Sequence, residues 1–222
     1  MISTTPSISR LSWTRRINPL VALRLNGSEF SQAYRCFFND PAAGIHHIIA
    51  AGRGSRWENW VNARLARQAI ALQETNLTIN LADLLQLPEN TLGGAYARHM
   101  IRQGFDPQEF VTDDLQETWV NRRAAIAHDV HHLITGFDAT PVGEYGLAAF
   151  SLVQYWNLLN VFVLSFLPLS VLSDLKTAPR LLAATLKGFW MGLICRPIFA
   201  YPFEANWSKS LVEVRQELRI NV

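Results

Sequence analysis

A chain of 222 residues with 49% hydrophobic content is long enough to bury one sizeable core, and nothing in it demands a second domain. Its 20 basic and 18 acidic residues leave a formal charge of +2, so there is no concentrated basic surface and no nucleic acid is expected as a partner. Two cysteines, Cys36 and Cys195, lie far apart in neither a zinc-type nor a disulfide-framework spacing and read as reduced core residues.

Residues 1–27 read as an N-terminal segment with the freedom to be flexible, and residues 28–222 as one all-α domain. The N-terminal segment carries Arg10, Arg15, Arg16 and Arg24, many serines and threonines and no acid, the composition of an organelle transit peptide and equally of a frayed bacterial terminus. Next, Phe30, Tyr34, Phe37 and Phe38 share one side of a helix, and Asn39, Asp40 and Pro41 restart the chain. Residues 52–55 read as a turn, since no strand precedes them and the lysine of a phosphate loop is missing. Trp57, Trp60, Val61, Leu65, Ala69 and Leu72 mark an amphipathic helix. A further helix is capped by Asn90 and Thr91 and stopped by Gly104.

The next helix, with Thr112, Asp113 and Asp114 as its expected cap and Gly136 as its stop, carries the chemistry. On a helix advancing about 100° per residue, His132 lies about 40° from His128 and Asp129 about 100°, so the three project from one side. Trp119, Ile126, Val130 and Leu133 fall opposite as a core-facing stripe. Glu144 follows Gly143 at the start of the next helix and completes a set of four metal-type ligands: His128, Asp129, His132 and Glu144. His131 points to the other side. His99 is a fifth candidate, more simply read as a packed histidine. The zinc-protease HisGluxxHis pattern is not met, because Asp129 stands where its glutamate would be. A HisAsp phosphohydrolase would need His46 or His99 upstream and Asp174 downstream, and their spacing does not match one.

From Tyr145 to Ser173 no residue is formally charged. A transmembrane helix, a buried central helix and the wall of a greasy cavity all explain that run, and Gln154, Asn157, Asn160 and Pro168 weaken the first. Leu147, Ala148, Ser151 and Tyr155 follow Glu144 on its side of the helix, so a lipid tail lying along them would bring its head to the ion. Pro179 at a first helical position starts another apolar helix through Leu181, Leu182, Leu186, Phe189, Trp190 and Leu193, stopped by Arg196 and Pro197. Trp207, Leu211, Val214 and Leu218 mark the last. The expected fold is an all-α, single-domain bundle of about eight helices with a hydrophobic cavity.

HisAspxxHis, eleven residues, then Glu resembles the signature of the fourth coenzyme Q (ubiquinone) biosynthesis protein family. Residues 87–96 and 203–220 are similar to it too, and the likeness spans roughly residues 80–222. The resemblance implies binding of a polyprenylated aromatic intermediate, or another isoprenoid lipid, and replacement of its ring C1 carboxyl by a hydroxyl. That activity is a metal-dependent oxidative decarboxylation of a prenylated hydroxybenzoate. The alternative it implies is a non-catalytic lipid-binding scaffold that organises other quinone biosynthesis enzymes at a membrane surface, with a homo-oligomer expected. The divalent metal expected from two histidines and carboxylates is zinc, with iron, manganese and magnesium as alternatives. The expected location is cytoplasmic and peripheral to the membrane in a bacterium, or the matrix side of the mitochondrial inner membrane in a eukaryote.

Overall fold

Among the described residues the chain runs through eleven α-helices and no strand: α1 (Gly27–Cys36), α2 (Pro41–Gly52), α3 (Arg56–Gln68), α4 (Leu81–Leu85), α5 (Leu92–Gln103), α6 (Trp119–Thr135), α7 (Pro141–Tyr155), α8 (Leu158–Ser165), α9 (Leu167–Ser173), α10 (Ala178–Ile194) and α11 (Leu211–Leu218). The computed structural model describes residues 23–72, 76–108 and 118–222, so most of the expected N-terminal segment and the expected cap at Thr112, Asp113 and Asp114 lie outside the described residues. The side chain that does cap α6 is Thr118, whose hydroxyl accepts from the Asn121 N–H at 3.1 Å. Asn26, Asp40, Ser55, Asn80, Thr91, Thr140, Asn157 and Ser210 cap their helices the same way. Each such cap contributes about 1 kcal/mol by satisfying an otherwise orphaned amide.

There are more helices than expected chiefly because the uncharged run is broken twice. Trp156 ends α7 in the left-handed region at φ 58°, and Asn157 at once caps α8. Pro168 then occupies the first turn of α9. This rules out both the single spanning helix and the single buried central helix. No described helix is long and apolar enough to cross a membrane. The polar residues of the run are structural: Gln154 donates to Gly192 O at 2.7 Å and accepts from Ile198 N–H at 3.1 Å, tying α7 to the end of α10.

Two apolar clusters hold the helices. The larger joins α3, α5, α6, α7 and α11 through Leu65, Tyr96, Ile126, Val130, Phe150, Phe199 and Val214. The smaller gathers Ala33, Ile48, Ala51, Phe162 and Phe166 from α1, α2 and α8, with Phe37 stacked on Phe166 at 4.4 Å between ring centres. Of the aromatic side foreseen for α1, Phe30 and Phe37 pack on this cluster, whereas Phe37 and Phe38 follow the helix and Tyr34 and Phe38 stay partly in solvent. The last helix is shorter than expected. Trp207 precedes it and packs on Tyr96 at 5.3 Å.

The predicted tail slot is closed. Helices α7 and α10 lie parallel, with Gly188 against Gly146 and Gly192 against Phe150, so close that a Cβ on Gly188 would overlap the Gly146 carbonyl. On the side of α7 away from this contact, Leu147, Ala148, Ser151 and Tyr155 are all buried, and Tyr155 Oη is hydrogen-bonded to His131 Nε2 at 3.0 Å. The expectation of a cavity along these four is thereby corrected: their side of α7 is packed into the core, with Leu147 and Tyr155 in the larger apolar cluster and Tyr155 against His131 of α6. Two concavities among the described residues, about 400 Å³ beside Arg196 and Tyr201 and about 300 Å³ among Trp57, Trp60 and Trp156, include none of them.

Candidate metal centre

Two helix ends build the site. Gly136 closes α6 in the left-handed conformation at φ 73°, which turns the chain back so that the Phe137 carbonyl accepts from His132 Nδ1 at 2.9 Å. With that nitrogen protonated, the Nε2 lone pair of His132 faces outward, the usual arrangement for a histidine that ligates a metal. Thr140 then caps α7, Pro141 opens it and Glu144 stands in its first turn, where the helix dipole favours a carboxylate.

The three side chains converge. His128 Nε2 lies 3.3 Å from His132 Nε2, Glu144 Oε1 is 3.2 Å from His132 Nε2, and Glu144 Oε2 is 3.9 Å from His128 Nε2. Two zinc–nitrogen bonds of about 2.0–2.1 Å meeting at a tetrahedral angle span about 3.3 Å, so the imidazoles already stand at the separation one ion requires. His132 is buried, whereas the His128 and Glu144 side chains are 50% and 41% exposed, which leaves one side open to solvent and to a further ligand.

Electrostatics point the same way. Burial by itself would lower the pKa of His132, but the hydrogen bond and charge of Glu144 and the Phe137 carbonyl hold it above its ordinary value. Burial would raise Glu144, yet the His132 hydrogen bond and both imidazoles keep it lowered. His128 is lowered by desolvation and by His132 against the pull of Glu144. A cation binding here replaces the proton that Glu144 and His132 stabilise.

The fourth expected ligand is placed elsewhere. Asp129 is buried and its Oδ1 lies 3.3 Å from Nε2 of His99, on α5. His99 is thus not a fifth member of the cluster but the partner of Asp129, with its ring 6.1 Å from that of His132. His131 turns away, to Tyr155, as expected, and burial holds it well below its ordinary pKa. One ion pair of the same helix was not foreseen from the sequence, that of the fully buried Arg123 with the part-buried Glu204. The signal was there: Arg123 stands on the stripe of Trp119, Ile126 and Val130, and a charge at a core-facing position calls for a buried partner.

With this geometry in hand, the chain was compared with known proteins. The sequence profile of the family described as "Coenzyme Q (ubiquinone) biosynthesis protein Coq4" matches residues 66–222. The mitochondrial ubiquinone biosynthesis protein coq4 of Botryotinia fuckeliana is 26% identical over 91% of this chain and 76% of its own length. Its counterpart in Aspergillus niger is 30% identical over 66% of this chain and 51% of its own. The crystal structure of a candidate ubiquinone biosynthesis protein from Nostoc punctiforme superposes with a TM-score of 0.73 at 26% identity, covering 89% of this chain and 100% of that one. The profile match extends beyond the site helices to most of the chain, and the chain accordingly belongs to the Coq4 family of coenzyme Q (ubiquinone) biosynthesis proteins.

Proposed function

We propose that this chain, whose family acts in ubiquinone biosynthesis, is an enzyme of quinone head-group chemistry in which His128, His132 and Glu144 hold a divalent metal. One observation carries the reading. Two imidazole Nε2 atoms and a carboxylate oxygen lie within 4.8 Å of one another where the end of α6 meets the start of α7, with one side open. Three protein ligands and an open position are the pattern of a catalytic metal, whereas structural sites are closed by four. Two nitrogens and one carboxylate suit zinc, iron or manganese better than magnesium, which prefers oxygen.

The proposed substrate is a polyprenylated hydroxybenzoate that exchanges its C1 carboxyl for a hydroxyl. Losing the carboxyl as carbon dioxide while gaining a hydroxyl is a two-electron oxidation shared by the ring and carboxyl carbons, so the conversion also consumes a two-electron oxidant, supplied in the test below as dioxygen in aerated buffer. A bound metal would supply Lewis acidity toward the ring carboxylate or phenolic oxygen and, if redox-active, a route to that oxidant. The protein's own part is orientation: the Phe137 carbonyl fixes the His132 ring, the α7 N-terminus steadies Glu144, and the buried Asp129–His99 pair backs the ligand helix.

The test is conversion of a short-chain prenylated hydroxybenzoate by metal-stripped protein reloaded with zinc, iron(II) or manganese(II), read as carbon dioxide release and product mass. Conversion should appear with one metal and fall about a hundredfold or more in Glu144→Gln and His128→Ala, which lose a direct ligand. Equal turnover in wild type and both variants would overturn the metal site, and no conversion by wild type with any metal would overturn the enzyme. A second reading, a non-catalytic scaffold for other quinone biosynthesis enzymes, is favoured by the burial of Leu147, Ala148, Ser151 and Tyr155, which leaves no room for a tail along them. It predicts unchanged partner binding and no conversion with any metal.

A further inference from the structure

The closed slot poses a question that the outer side of α10 answers. Leu182, Leu186, Trp190 and Leu193 fall within an arc of about 80° on this helix, opposite the buried Leu181, Thr185, Gly188 and Gly192. They are 44%, 68%, 66% and 68% exposed, and Leu169, Leu172 and Leu175 on and after the adjoining α9 are 51% to 72% exposed. A row of large apolar side chains this long and this bare is uncommon on a free surface and marks a place of contact.

Charge says with what. From Leu175 to Phe203 there is no acidic residue, while Lys176, Arg180, Lys187 and Arg196 all fall in that stretch and are all exposed. Lys187 and Arg180 lie about 100° and 120° round the helix from Leu186, along one edge of the stripe. Asp174, just before, is occupied by the Thr177 hydroxyl and by the amides of Lys176 and Thr177. Leucines and a tryptophan bordered by lysine and arginine are the composition of a helix lying in the headgroup layer of a bilayer. A two-fold copy of the same face would set cation against cation, whereas anionic headgroups complement them.

We propose that the α9–α10 face seats this protein on an anionic lipid surface. The seating stands on the exposed face alone; one consequence rests also on the proposed function. Lys187, from this same helix, reaches over the ring of Phe137 at 5.8 Å, and the Phe137 carbonyl is the one that orients His132. The docking face and the metal ligands are therefore neighbours, so the polyprenyl tail of the substrate stays in the bilayer and only its ring rises to the ion.

Co-sedimentation with vesicles of phosphatidylcholine alone, or of phosphatidylcholine with phosphatidylglycerol, tests the seating. Wild-type protein is expected on the anionic vesicles and largely free of the neutral ones. The double change Leu186→Asp and Trp190→Asp should weaken binding at least about tenfold with an unchanged melting temperature, because both side chains already face solvent. Lys176→Gln and Arg180→Gln should each lower binding about fivefold and only on anionic vesicles. Glu144→Gln, which removes a metal ligand, should bind vesicles as wild type does, so a failure of the metal reading leaves this outcome unaffected. Absent or charge-independent vesicle binding overturns the proposal, as does a wild-type dimer that Trp190→Asp converts to monomer without affecting sedimentation.

Discussion

One helix, α6, carries two polar constellations that look alike in sequence and differ in kind. Toward its start, Arg123 is fully buried and nearly saturated: Nε donates to Phe199 O at 3.2 Å, Nη2 to Tyr201 O at 2.7 Å and Nη1 to Glu204, with the guanidinium 4.2 Å from the Phe203 ring centre. Toward its end, His128 and His132 point their Nε2 atoms at each other and at Glu144 across a half-open mouth. Arg123 has its bonds already made and leaves no direction for a ligand. The imidazoles share one proton's worth of attraction among three basic groups, an arrangement that a cation completes. Buried polar residues alone therefore do not mark the site; the convergence of unspent lone pairs does.

The contrast breaks most visibly at the saturated end. Arg123→Met should cost about 3–5 kcal/mol, because Glu204 and two carbonyls are left buried without their donor. For a chain of this size that lowers the melting temperature on the order of 10 °C. Adding Glu204→Leu should restore much of the loss, since two apolar groups can replace a buried ion pair. A melting curve that hardly moves in Arg123→Met would mean that the pair does not hold α6 to the 198–205 segment, and the distinction between the two ends would collapse.

At the open end the expected loss is of ligand, not of fold. After chelation, His128→Ala should unfold within about 0.5 kcal/mol of wild type, as befits a half-exposed side chain. His132→Ala should cost about 1–2 kcal/mol through its lost bond to the Phe137 carbonyl. With free zinc at a hundred times the dissociation constant, wild type should gain about 2.7 kcal/mol, and either variant should gain close to nothing. Thermal melts with and without zinc check this. A variant that gains as much as wild type would show that the imidazoles are not the ligands.

How much of this could be read from the residues follows the same division. Local rules were enough where one side chain decides the outcome: Thr91 and Gly104 bound α5, Gly136 stops α6 and Pro179 opens α10. Helical spacing alone brought His128 and His132 together, and the place of Glu144 just after Gly143, at the start of the next helix, added the third. Spacing failed for Asp129, because about 100° around a helix is enough to turn a side chain from one neighbour to another, here to His99 on α5. It failed for the tail slot because the burial of that side of α7 depends on Tyr155 meeting His131 of α6 across the fold, a pairing between helices that no periodicity within either one reveals. The uncharged run misled for a related reason: Trp156 adopts a left-handed conformation that few non-glycine residues take, so the break there carries no compositional mark.

The smallest expected effect separates the two ends by their response to pH. His132 is raised above its ordinary 6.5, so its attraction to Glu144 is fully present below 6.5 and fades as pH rises through the higher folded value. Glu144 is lowered below its ordinary 4.5, so its share is present above 4.5 and fades only as pH falls through the lower folded value. In chelated protein, a double-mutant cycle of His132→Ala and Glu144→Gln should therefore show its greatest coupling between about pH 4.5 and 6.5 and little at pH 9. With the Glu144 side chain 41% exposed, solvent screening holds that coupling below about 1 kcal/mol. The corresponding cycle of Arg123→Met and Glu204→Leu, followed by urea unfolding, should stay level from pH 6 to 9, because a guanidinium keeps its proton throughout. A His132–Glu144 coupling as large and as flat as that of Arg123 and Glu204 would make the histidine end another structural ion pair.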